Sequence, residues 1–106
     1  MTDYSKLSDD EINSRVAETL PIRFTYYADY IWNAEEECRF APCNNPSDAW
    51  PIIVDNNIAI VPYRHTLPQA WPTKFGIASK FLVEDKNPLR AAMIVYLMMK
   101  ESENGI

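Results

Sequence analysis

A chain of 106 residues, 47% hydrophobic and 24% charged, has room for one core and excludes both a multidomain protein and a disordered one. A formal net charge of −5 excludes a general nucleic-acid binder, because phosphate contacts need a basic surface. Two cysteines and one histidine are too few to build a structural zinc site.

The opening MTDYSKLSDDEI is polar and acidic, so no secretory leader is expected. Residues 8–20, SDDEINSRVAETL, predict the first helix. Ser8 caps it, and Glu11 three residues on completes a capping box. Asp9 and Asp10 sit in the first turn, where negative charge suits the helix dipole. Ile12, Val16 and Leu20 give one narrow apolar stripe, and Pro21 ends the helix. The next segment, IRFTYYADYIW, is aromatic and β-branched and predicts a strand around Arg23–Tyr27. NAEEECRFAPCNNP then reads as loop, with a helical turn open to Glu35–Arg39.

Asn45-Pro46 or Ser47 starts the second helix, since a polar cap followed by proline is a start signal. Pro51 disturbs it. With Asn45 or Ser47 as cap, Pro51 lacks the N–H that would bond back to residue 47; with Asp48 as cap, it stays in the first turn. A short helix, 47–56, with an irregular first turn is predicted. Trp50, Ile53 and Val54 are expected to point inward. Asn56 or Asn57 supplies a left-handed C-terminal residue in a chain with only two glycines. Ile58–Val61 predicts a buried strand ended by Pro62. The stretch with Pro68 and Pro72 reads as loop, and Lys74–Val83 as one strand or two. Asn87 then caps a third helix, 88–101, opened by Pro88. Leu89, Ala92, Met93, Tyr96 and Leu97 share one face, while Ala91, Ile94, Val95 and Met98 fill most of the rest. A helix apolar nearly all round is buried on more than one side. The class predicted is α+β in a single domain, 1–106: a small, mostly antiparallel sheet of about three strands packed with three helices. The longest apolar run, Ala91 to Met99, is far shorter than the roughly 20 residues of a membrane span. A cytoplasmic location is expected, with Cys38 and Cys43 as reduced thiols.

Three phrases, DYSKLSDDEINSRVAE, NNPSDAWPIIVDNNIAI and NPLRAAMIVYLMMKES, resemble the NinX-like family of small proteins from bacteriophages and prophages of enteric bacteria. They cover both ends and the centre of the chain. The order of elements is also similar to wider phage α/β/α sandwich domains. The resemblance implies a fold class and a phage origin. It implies no catalytic residues and no cofactor.

The residues themselves offer little to catalysis. His65, in the loop PYRHTLP, is the sole candidate base for a Cys38 or Cys43 nucleophile. Two glycines cannot build a phosphate loop, and an enzyme is not expected. Binding is better served. Tyr26, Tyr27, Tyr30 and Trp32 crowd one segment, and Tyr63, Arg64 and Trp71 lie near prolines in another. Such aromatics either fill the core or anchor an interface. Facing outward, they predict one of two partners. The first is a host protein, met by an aromatic patch with an acidic rim. The second is a nucleotide-like signal of host defence, stacked on a ring with Arg39, Arg64, Lys74 or Arg90 near its phosphates. The girth of the last helix leaves room for a homo-oligomer. No membrane partner and no metal are expected.

Overall fold

A computed structural model describes residues 2–77 and 80–103. Three helices, α1 (Asp9–Thr19), α2 (Pro46–Asp55) and α3 (Pro88–Glu103), alternate with two small sheets. The α+β class and the three helices stand as predicted. The strands number six among the described residues, β1 (Phe24–Tyr26), β2 (Ile31–Asn33), β3 (Cys38–Arg39), β4 (Ile58–Val61), β5 (Gln69–Pro72) and β6 (Val83–Glu84). They form two antiparallel sheets of three, ordered β1-β2-β3 and β4-β5-β6.

The first helix forms as its sequence dictates. The Glu11 amide donates to Ser8 Oγ at 3.1 Å, and the Ser8 amide to Glu11 Oε1 at 3.2 Å. Ile12 and Val16 are fully buried. A short 3-10 turn, Tyr4–Lys6, precedes it. Tyr4 reaches across to α3, its hydroxyl donating to Glu101 Oε2 at 2.5 Å. Burial and the Glu101 carboxylate raise the Tyr4 pKa, while the same bond lowers that of Glu101.

Where loop or a helical turn was expected at 34–39, the chain makes a hairpin. Asn33 Oδ1 accepts from the amides of Glu35 and Glu36, both at 3.0 Å, and Glu37 takes a left-handed φ of 53°. The chain is thereby reversed, and Cys38–Arg39 pairs back on β2. The run of three glutamates hides this turn, because the residue that builds it is the asparagine before them.

Helix α2 starts at Asn45-Pro46, the first of the predicted caps, with the Ser47 amide on Asn45 Oδ1 at 3.0 Å. Its first turn is irregular as expected, since Asn45 O accepts from both Asp48 and Ala49 at 3.1 and 3.2 Å. The inward face differs from the prediction. Ala49, Ile52 and Ile53 are buried, while Trp50 is 63% and Val54 50% exposed. Two i, i+4 apolar stripes run along this helix, and periodicity cannot say which one a neighbour covers. The stripe carrying alanine lets α2 lie against α3, and the stripe carrying tryptophan is left outside.

Asn57 takes the left-handed φ of 51° that releases the chain into β4. A second loop prediction fails at β5. Its Pro72 is the last residue, paired with Ile58, and Pro68 lies before the strand, so neither proline removes an interior donor. The predicted strand at Lys74–Val83, of which Ala78 and Ser79 lie outside the described residues, is instead a turn followed by β6. The amides of Phe75 and Gly76 both return to Pro72 O, at 3.0 and 3.1 Å, and that reversal removes residues 73–76 from any ladder.

Helix α3 is the centre. Residues 91–97 are all buried. α1 and α2 pack on it, and all three strands of the second sheet lie against it. The apolar girth of residues 91–97 is covered within the chain, while Leu89, Met98 and Met99 are partly buried. Its start is fixed by Asn87, whose Oδ1 accepts from Leu89 and Arg90 at 2.9 and 3.3 Å. Arg90 then clasps three segments: Nε bonds Asp85 at 3.0 Å, Nη1 bonds Asp9 at 2.7 Å and Nη2 bonds Leu7 O at 2.6 Å. Burial alone would lower its pKa, but the two carboxylates outweigh burial and raise it. Arg90 is a structural clasp, not one of the predicted phosphate ligands. No described helix is long and apolar enough to cross a membrane.

Candidate functional site

The seven predicted surface residues fall into two groups. None of the seven is buried. Tyr26, Tyr27, Tyr30 and Trp32 belong to the first sheet and its tip. Tyr63 and Arg64 are exposed in the loop after β4, and half-buried Trp71 lies on β5 opposite Ala59. No major packing joins the two sheets, so the fold does not merge these groups into one patch.

The first group is organised by pleat. Phe24, Ile31 and Asn33 turn inward, while Thr25, Trp32 and Arg39 are cross-strand neighbours on the outer face. At the tip the Tyr27 amide donates to Tyr30 O at 2.9 Å, which brings the two rings together. Their centroids stand 4.7 Å apart at an interplanar angle of 22°. The Arg39 guanidinium carbon lies 4.4 Å from the Tyr30 centroid, a cation–π contact. Tyr27 and Arg39 thus both lie in contact with the Tyr30 ring.

Between this tip and α1 lies a cleft of about 160 Å³, lined by Asp10, Asn13, Ser14, Asp29 and Arg39 beside the two tyrosines. Asn13 is almost fully buried, and its Oδ1 accepts from the Cys43 amide at 2.9 Å. The adjoining groove along α1 is lined by Glu11, Arg15 and Glu18 beside Asp10. Burial and, after it, the Glu18 charge raise the Tyr26 pKa. Sequence reasoning named the tyrosines and Arg39 but missed Asp10, Asn13 and Asp29. Asp10 was accounted for by the helix dipole. The signal in Asn13 was its place beside Ile12 and Val16, a poor helix former on the edge of the apolar stripe.

The other nominated chemistry is scattered. Cys43 is fully buried, and burial, aided by the Asp9 charge, pushes its thiol pKa up to about 12, which removes it as a nucleophile at neutral pH. Cys38 is a free, exposed thiol, and His65 is exposed in the loop after β4. Lys74 lies over the ring of its neighbour Phe75 at 5.5 Å, away from the cleft. Among the described residues no three histidines, cysteines or carboxylates are grouped to hold a metal.

Fold and surface together define a small α+β protein that carries an acid-rimmed aromatic tip on a helix-centred core. The chain belongs to a family of phage proteins, the family described as Bacteriophage P22, NinX, whose family model matches residues 3–100. No curated protein and no solved structure matches it.

Proposed function

We propose that this phage accessory protein acts by binding a host protein through the tip and outer face of its first sheet. The stacked pair Tyr27–Tyr30, with Arg39 on its inner ring, carries the reading. Exposed tyrosine, tryptophan and arginine are the side chains that anchor interfaces, because they bury much area at little entropic cost. The carboxylates of Asp10, Glu11, Glu18 and Asp29 around them favour a partner with a basic patch and speed its encounter.

A nucleotide-like ligand is less well served. The tip cleft, at about 160 Å³, is smaller than the roughly 300–1,000 Å³ of small-molecule sites. A larger groove of about 530 Å³ between α2 and the first sheet is lined by Glu36, Asp48 and Asp55 and by no lysine or arginine. Phosphates would meet three carboxylates and no cation there.

Capture from an enteric bacterial lysate by the wild type and by the Tyr27→Ala/Tyr30→Ala double variant tests the proposal. A partner retained by the wild type is then purified and its affinity measured by calorimetry. The expected result is a loss of about 30-fold or more in the variant, at unchanged thermal stability. Equal binding by both proteins, or no saturable partner, overturns it. A thermal shift with cyclic dinucleotides or ADP-ribose derivatives, with the ligand recovered intact, would put sequestration in its place.

A further inference from the structure

We infer that the cleft between α1 and the hairpin tip receives a single arginine side chain of a partner protein, with a neighbouring peptide carbonyl taken by Asn13. The inference rests on the binding role proposed above and names what the partner must carry.

Charge is the first observation. Asp10 and Asp29 both line the cleft, and neither has a lysine or arginine within ion-pair distance among the described residues. Arg39 is the one cation lining the cleft, and its contact is with the Tyr30 ring, so by count the cleft holds two carboxylates to one cation. The site is left one positive charge short.

Asn13 is the second. Its side chain is held, because the Cys43 N–H fixes which end of the amide is oxygen. The other end, Nδ2, has no acceptor among the described residues. No buried side-chain nitrogen or oxygen lacks a partner, so Nδ2 meets solvent, and the cleft is the void that Asn13 lines. The residue is only 3% exposed, so what remains open is a fixed donor in the cleft wall. A donor wants a carbonyl, which a free cation does not bring and a peptide does.

Shape is the third. A cleft of about 160 Å³ is close to the ~150 Å³ that holds one benzene ring. It admits a guanidinium and its last methylenes and excludes a nucleotide. Tyr27 is 51% exposed, and only one of its faces is covered by Tyr30. Its other face is free for a planar cation, the arrangement that Arg39 already makes on Tyr30. Arginine suits this site better than lysine, since it stacks flat while its fork meets a carboxylate.

The test uses N-acetyl-arginine amide as probe, titrated into ¹⁵N-labelled protein. The neutral isostere N-acetyl-citrulline amide is the control. Saturable shifts are expected at the Asn13 side-chain NH₂ and at the amides of residues 27–31. Citrulline, and the Asp10→Asn/Asp29→Asn double variant with arginine, should each bind about tenfold more weakly. Both aspartates are exposed, so the variant keeps its core, which the unchanged spectrum elsewhere verifies. Equal shifts from arginine and citrulline, shifts centred elsewhere, or no saturation up to the solubility of the probe overturn the inference. Host-protein capture that survives the two aspartate changes while the probe fails would sink this site and leave the aromatic interface standing.

Discussion

Helices α2 and α3 begin alike and end up in different places. Both open with asparagine and proline, and in both the asparagine Oδ1 accepts from an amide two residues on. Yet α3 buries seven successive residues, 91–97, while α2 leaves Trp50 and Val54 in solvent. A cap settles where a helix starts, not which of its faces is covered. Coverage is decided by neighbours. α3 lies between two helices and a sheet, whereas α2 packs on α3 and little else. The caps themselves differ in reach. Asn87 Nδ2 also donates to Cys43 O at 2.5 Å, tying the start of α3 to the approach to α2. Asn45 serves its own helix alone.

The contrast is widest at the middle of the two helices. Met93→Ala, at a fully buried position, is expected to cost about 2–5 kcal/mol. Val54→Ala, half exposed, should stay within about 0.5 kcal/mol. Urea unfolding of both variants checks the pair, and similar losses would erase the distinction drawn here.

The junction between the helices can be probed by pH. Cys43 carries a thiol whose pKa is raised from 9.0 to about 12. The folded state thus holds the neutral form, and the stability this brings is complete below pH 9 and lost as pH rises towards 12. By pH 10.5 the loss should be on the order of 2 kcal/mol. Cys43→Ala should flatten that part of the pH profile, though the raised Tyr4 pKa leaves a residual slope of the same sign. A profile equally steep in the variant would show that Cys43 is not the group responsible.

How much of this could be read from residues alone follows the same division. The three helices, the capping box at Ser8 and Glu11, and strand Ile58–Val61 were readable, because each is written in a local pattern of caps, prolines and spacing. Strands β2, β3 and β5 were not. The turn at Asn33 depends on a side chain folding back over a glutamate run. β5 depends on Pro72 falling at the end of a ladder whose partner is fourteen residues away. At the tip, the tyrosines were readable as an unusual cluster. The carboxylates and Asn13 were not, because α1 reaches the hairpin only through the tertiary fold. The two aromatic groups looked equivalent in sequence, and only the first gained a stack, a cation and a cleft.

The caps offer a smaller effect. Asn45→Ala removes one capping bond, which costs about 0.5–1 kcal/mol. Asn87→Ala removes a cap and also leaves Cys43 O without its donor, so about 1–2 kcal/mol is expected. The difference between the two, measured by chemical denaturation under one set of conditions, isolates the bond that joins the helices. Equal costs would mean that Asn87 Nδ2 contributes nothing.

Trp50→Ala is the sharpest test of where α2 faces. The sequence pattern assigned Trp50 to the core, where truncation would cost about 3–5 kcal/mol. At 63% exposure most of that ring never leaves water on folding. The remaining third or so covers the shallow groove it lines with Ile53, Ile58 and Ile60, a loss on the order of 1–2 kcal/mol at ~25 cal/mol per Å². Against this stands a smaller gain, about 0.5 kcal/mol, since alanine is the better helix former. The net loss in unfolding free energy should be about 1 kcal/mol, well short of the core value. A loss of about 3 kcal/mol or more would mean that something covers Trp50 in solution. Repeating the measurement across protein concentrations then identifies it: a loss that grows with concentration is a second copy of the chain seated on this face, and a constant loss places the ring inside the monomer core.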